Sequence, residues 1–182
     1  MRNFLRLFLI VVFSVSLRLF FELSGQDVFF LNLTPIGAIA FLTGSQKGKL
    51  SYFALPLGVL LTSDFLLANL KQMPYWDAQS VWTYLAFSVI FLFGIMLKNK
   101  KYPSKILFGS LGSVFIHWII TDFGVWVSTL MYPKTALGFV ECLVAAIPFE
   151  MAFLFGTVFH VSLYLGLQFA FLKFRKTQTV TL

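Results

Sequence analysis

Six apolar runs, at about residues 4–22, 29–44, 50–70, 80–97, 106–131 and 145–172, occupy most of this chain. A helix of roughly 20 apolar residues crosses the hydrocarbon layer of a bilayer. A water-soluble fold has no use for so many continuous apolar segments, because each of its surface helices needs a charged face. The chain is 59% hydrophobic and 12% charged, against about 25% charge in an ordinary soluble domain. These runs predict an all-α integral membrane protein, a bundle of six transmembrane helices forming a single membrane domain over residues 1–182.

The charges sort along the same ladder. All seven carboxylates fall at or beyond one side of it, and eleven of the fourteen Lys and Arg residues fall on the other. Arg2, Arg6, Lys47, Lys49, Lys98, Lys100, Lys101, Lys105, Lys173, Arg175 and Lys176 share the basic side, whereas Arg18, Lys71 and Lys134 lie opposite. Short loops rich in Lys and Arg stay in the cytoplasm. The expected orientation has both termini inside, in the cell (inner) membrane, and an even number of spans agrees with it.

A formal charge of +7 and a pI near 9.7 would point to nucleic acid in a soluble chain. Here the basic residues flank apolar runs and match the anionic headgroups of the lipid bilayer, so nucleic acid is not an expected partner. The first run continues through Arg18 to Phe21 with no small-x-small cleavage pattern, and it reads as helix one rather than as a signal peptide. The single cysteine, Cys142, permits no intrachain disulfide.

Local irregularities are few and placed. The second run is short and contains Asn32, Thr34, Pro35 and Gly37, a combination that breaks or thins a helix and is tolerated at membrane depth only where protein or a cavity shields it. Pro56 falls inside the third helix, and the stretch TALGFVECLVAAIPF reads as a short outer helix before helix six, whose first turn Pro148 would suit. Gly109, Ser110, Gly112 and Ser113 permit close helix contact.

An ionisable group buried in hydrocarbon costs about 2.5–3.5 kcal/mol on insertion scales, and so calls for a partner, a cavity or a function. Asp64, Asp122 and Glu150 meet that description, all toward the outer ends of their helices. Trp118, Asp122 and Trp126 follow an i, i+4, i+8 spacing, with Thr121 and Ser128 beside that face. Glu150, Thr157, Tyr164 and Gln168 form a second polar stripe with His160 at its edge. The competing reading makes the carboxylates counterions of Arg18 or Lys71 and the aromatics interfacial belts or packing.

Chemistry beyond binding has little support. His117, His160 and Cys142 have no metal-ligand spacing, and neither a GxSxG nor an HExxH motif occurs. No enzyme activity, cofactor or metal is expected.

Four segments, NLTPIGAIAFLTG (32–44), LPLGVLLTSDFLL (55–67), TDFGVWVSTLMYPKT (121–135) and AAIPF (145–149), resemble an uncharacterised bacterial membrane family, domain of unknown function six-five-eight-zero, whose members are commonly labelled transport proteins. That family is in turn similar in size, six-helix layout and orientation to the S components of energy-coupling factor vitamin transporters. The resemblance implies a substrate pocket in the outer half, open to the outside and capped by loops. It also implies a transmembrane coupling subunit with ATPases as a partner, although the AxxxA-like docking motif common on helix one of S components is replaced here by Ser14 and Ser16 alone.

The expected function is that of a membrane substrate-binding and transport protein for a small organic nutrient, such as a vitamin or its precursor. Asn32, Asp64, Trp118, Asp122, Trp126, Glu150 and Thr157 are the expected substrate-binding residues, the carboxylates orienting polar or cationic groups and the tryptophans stacking on an apolar part. The alternative is a membrane scaffold of the cell-shape type, acting through helix–helix contacts and needing no polar pocket.

Overall fold

The structure is a computed structural model that describes residues 2–24, 33–98 and 103–180, with side chains described over 9–24, 33–98 and 103–171. Six α-helices occur among the described residues: α1 (Arg2–Leu23), α2 (Ile36–Leu42), α3 (Ala54–Lys71), α4 (Ala78–Met96), α5 (Pro103–Ser128) and α6 (Ala136–Val180). No strand occurs among those residues. Four segments, Leu50–Lys71, Ala78–Met96, Pro103–Ser128 and Ala136–Phe171, are helical, long and apolar enough to cross a membrane.

The short helix α2 is the hub. It packs against α3, α4, α5 and α6, and Ile36, Gly37, Ala38, Ala40 and Phe41 are all buried. Pro35 precedes its first turn, the Ile39 N–H returns to the Pro35 carbonyl at 2.9 Å, and the helix widens into a π-helical turn over Thr43–Lys47 before Gly48 ends it at φ 57°. Within this irregular stretch Gly44 and Ser45 are buried, whereas Gln46 and Lys47 are exposed.

Two glycines explain how closely α2 approaches α4. A Cβ on Gly44 would run into the Phe91 carbonyl, and one on Gly94 would meet the Phe41 carbonyl at 2.5 Å. Backbone lies against backbone there, and no side-chain rotation could make room. Gly109 works similarly against rings, since its added Cβ would stand 2.6 Å from Phe41, and Ser110 and Ser113 beside it are fully buried.

Polarity is distributed inside out. Phe13, Phe20, Phe65, Phe108, Phe115 and Phe159 are exposed, whereas Ser14, Ser63, Ser110, Ser113 and Thr121 are buried. These hydroxyls donate to carbonyls three or four residues earlier, for example Ser14 to Ile10 at 2.7 Å and Thr121 to His117 at 2.8 Å, which removes the cost of burying them. Apolar packing of Phe41, Val59, Phe87, Ile90, Val114 and Phe153 fills the rest of the interior.

Two sequence expectations need correction. No separate outer helix precedes helix six: α6 begins at Ala136 and runs through Pro148 without a break. Proline removes only the N–H that would bond Val144, a loss that neighbouring helices tolerate in a membrane. Pro56 lies inside α3 as expected, as its third residue within the first turn. The fifth helix stops at Ser128 rather than near 131 because Lys134 Nζ donates to the carbonyls of Trp126, Val127 and Thr129, closing the helix end with a cation where the helix dipole favours one.

Candidate functional site

One end of the bundle holds two ion pairs between α1 and α3. Arg18 Nη1 on α1 pairs with Asp64 Oδ1 on α3 at 2.7 Å and also donates to Ser63. The Tyr84 hydroxyl on α4 donates to the other Asp64 oxygen at 2.8 Å. One helical turn further out, Lys71 pairs with Glu22 at 2.6 Å. Arg18 and Glu22 are four residues apart on α1, and Asp64 and Lys71 are seven apart on α3, so periodicity stacks the two bridges along one seam.

The second cluster spans α5 and α6. His117 Nδ1 lies 2.9 Å from Glu150 Oε1, and its ring stacks on Phe153 with centroids 4.0 Å apart. Cys142 donates its thiol toward the Asp122 carbonyl at 3.5 Å. Asp122 and Glu150 are each 8% exposed. Asp122 Oδ2, Glu150 Oε2 and Thr157 Oγ1 are nevertheless buried with no hydrogen-bond partner. Buried polar atoms are satisfied in the great majority of cases, so these three atoms stand out from the rest of the interior.

A cavity of about 280 Å³ lies between the two clusters. Every one of the six helices or its entry contributes to the wall: Arg18 and Glu22 from α1, Thr34 and Ile36 at α2, Leu60 from α3, and Gln79, Thr83 and Phe87 from α4. His117, Thr121 and Asp122 complete it from α5, with Phe149, Glu150 and Phe153 from α6. Glu22 and Gln79 stand at helix ends and mark its mouth. A second cavity of about 350 Å³ lies behind Asp122, Phe149 and Glu150, which both cavities share, and is lined further by Tyr132 and Cys142.

Residues 1–180 match the model of a family of unknown function, DUF6580, and the match contains every residue of both cavities. The chain belongs to DUF6580. No curated protein and no solved structure matches it.

Within this DUF6580 protein the expected binding residues take different places. Asp122 and Glu150 come together on the cavity wall. Thr157 lies fully buried against Gly37. Asp64 is held as the counterion of Arg18, outside the wall. Trp118 donates its indole N–H to the Leu143 carbonyl at 3.1 Å and lines an apolar groove with Phe115, Ile147 and Met151. Trp126 donates to the Pro133 carbonyl at 2.8 Å and packs on Phe123 and Phe139, with Lys134 over its ring. The two indoles therefore fasten α6 and the α5–α6 loop to α5 and do not flank Asp122 in the cavity. Each follows its N–H to a backbone carbonyl. Asn32 lies outside the described residues.

The second polar stripe also divides. Glu150 and Thr157 are buried, whereas Gln168 is exposed and satisfied by the Tyr164 hydroxyl at 2.8 Å. Residues that the sequence reading did not assign to binding supply much of the wall. Phe149 and Phe153 are spaced i, i+4 around Glu150, and His117 and Thr121 share the same spacing on α5, a signal that a helix-face search centred on the carboxylates contains. No group of three or more His, Cys, Asp or Glu able to hold a metal occurs among the described residues.

Proposed function

We propose that this DUF6580 protein is a six-span membrane protein with both termini in the cytoplasm that binds a small organic nutrient from the outer face and passes it inward. The observation that carries the reading is the cavity to which all six helices contribute and into whose wall Asp122 and Glu150 are built with unpartnered oxygens. A fold that acted through lateral contacts alone would fill this space with apolar side chains, because burying two carboxylates costs stability without return.

Several features support the finer points. The eleven basic residues on one side of the ladder favour that side as cytoplasmic, which puts Glu22, Gln79 and the cavity mouth outside. Asp122 is six residues, or about 9 Å, from the outer end of α5. On this proposal the protein would work as an S component does, with a vitamin or precursor as substrate and an ATPase-driven coupling subunit as the energy source.

The test is native mass spectrometry of the gently purified protein. We expect a co-purifying small molecule that is lost in Asp122→Asn while the variant still inserts. A wild-type protein carrying lipids alone would overturn the binding reading and favour a scaffold.

A further inference from the structure

We propose that the cavity takes a monovalent organic cation, an amine carrying an aromatic or compact apolar body, whose ammonium group sits against Asp122 and Glu150. The proposal rests on the binding function above and narrows its substrate class.

The charge balance of the cavity and its surroundings carries the argument. From α1, Arg18 is closed by Asp64 and Glu22 by Lys71. From α3 the facing charges are those same two partners, and from α4 the titratable neighbour is Tyr84, which donates to Asp64. On α5, His117 faces Glu150 of α6. Cys142 of α6 contacts Asp122 only at its backbone carbonyl, and Tyr132 stands beyond it in the second cavity. Of the three carboxylates that line the cavity, Asp122 alone has no ion-pair partner among the described residues. With every carboxylate ionised the set carries a net negative charge. In a low-dielectric wall the missing partner is a cation.

An anionic solute meets the opposite situation. Three carboxylates, Glu22, Asp122 and Glu150, line the cavity against one guanidinium, and that guanidinium already spends Nη1 on Asp64 and Ser63. Phe87, Phe149 and Phe153 add aromatic surface that suits a cation and an apolar body, beside Ile36, Leu60 and the hydrogen-bonding side chains of Thr34, Gln79, Thr83 and Thr121. A volume of about 280 Å³ suits a single-ring amine and excludes anything nucleotide-sized. With fewer than three clustered ligands among the described residues, a divalent metal is not the fit.

The experiment compares three probes of nearly one shape, phenethylamine, phenethyl alcohol and phenylacetate, by equilibrium dialysis against the full-length protein in detergent at pH 7. Phenethylamine is expected to bind wild type and Asp122→Glu at least tenfold more tightly than Asp122→Asn, and at least tenfold more tightly than the alcohol binds wild type. Equal binding of amine and alcohol, or tighter binding of phenylacetate, overturns the cation assignment while the binding reading stands. If none of the three binds, the proposal falls; native mass spectrometry then separates the two failures, since a co-purified molecule without a basic nitrogen spares the binding reading and an empty protein removes it. Should Asp122→Asn fail to fold, the three-probe comparison on wild type and Glu150→Gln decides alone.

Discussion

Arg18 on α1 and Asp64 on α3 meet at 2.7 Å, and each carries through an apolar helix a charge that the other cancels. Their side chains are about one-fifth exposed, so the pair is largely withdrawn from water and its rupture leaves a stranded ion. Asp64→Ala is expected to cost about 3 kcal/mol, whereas Arg18→Leu combined with Asp64→Leu recovers most of the loss, because removing both charges also removes both desolvation penalties. Thermal unfolding of the two singles and the double in detergent measures this as a coupling energy. A double variant no better than the singles would contradict the counterion role.

Close backbone approach gives a second expectation with an internal control. Gly44 and Gly94 face each other's helix backbone across α2 and α4, and an alanine at either must push two helices apart. We expect Gly94→Ala to destabilise by about 2 kcal/mol or more, in the range of overpacked cores. Gly58 and Gly166 have no neighbour within 4 Å of an added Cβ, and alanine there should be neutral or stabilising by up to about 1 kcal/mol. Unfolding midpoints of the four variants under one condition decide it.

The sequence made some of this legible and hid the rest for a physical reason. Six apolar segments and their capping irregularities follow from length and composition, and α2 is as short and shielded as Pro35 and Gly37 imply. The partner choice among Arg18, Lys71 and the carboxylates did not follow, because the chain offers two cations and the register of α1 against α3 selects Arg18 for Asp64 and leaves Lys71 for Glu22. A helix that is apolar all round carries no stripe to fix its rotation. Trp118 and Trp126 therefore looked like partners of Asp122, when their indole N–H groups turn to the carbonyls of Leu143 and Pro133. Pro148 misled for a related reason: at the membrane surface it starts helices, and inside a bundle it is carried within one.

Outside the spans, Asp77 caps α4. Its Oδ1 accepts from the Ser80 N–H at 2.7 Å and the Ser80 hydroxyl at 2.6 Å, and the Asp77 N–H returns to Ser80 Oγ at 3.4 Å. The Ser80 side-chain bond first, then the Ser80 backbone bond, hold the carboxyl below its ordinary value of 3.8. A depressed folded pKa adds stability that is present above the unfolded value and lost as pH falls through the folded one. Asp77→Ala should cost about 1 kcal/mol at neutral pH. The difference between wild type and variant should shrink below about pH 4 as the wild-type carboxyl protonates, and paired melts from pH 7 to pH 3 would show it.

Cys142 offers a test of orientation with no background, since it is the chain's one cysteine. It is 2% exposed and lines the second cavity beside Asp122 and Phe149, six residues or about 9 Å from the start of α6. A membrane-impermeant maleimide must enter through that cavity to reach it. With both termini cytoplasmic, reagent added to intact cells should label Cys142 slowly, and reagent confined to the cytoplasmic side of inverted vesicles should not label it. Phe149 is a wall shared by both cavities and is itself 47% exposed, so Phe149→Ala should open a path to the thiol and speed outside labelling several-fold with little loss of stability. Labelling from the cytoplasmic side alone would invert the topology and with it the outward mouth of the cavity.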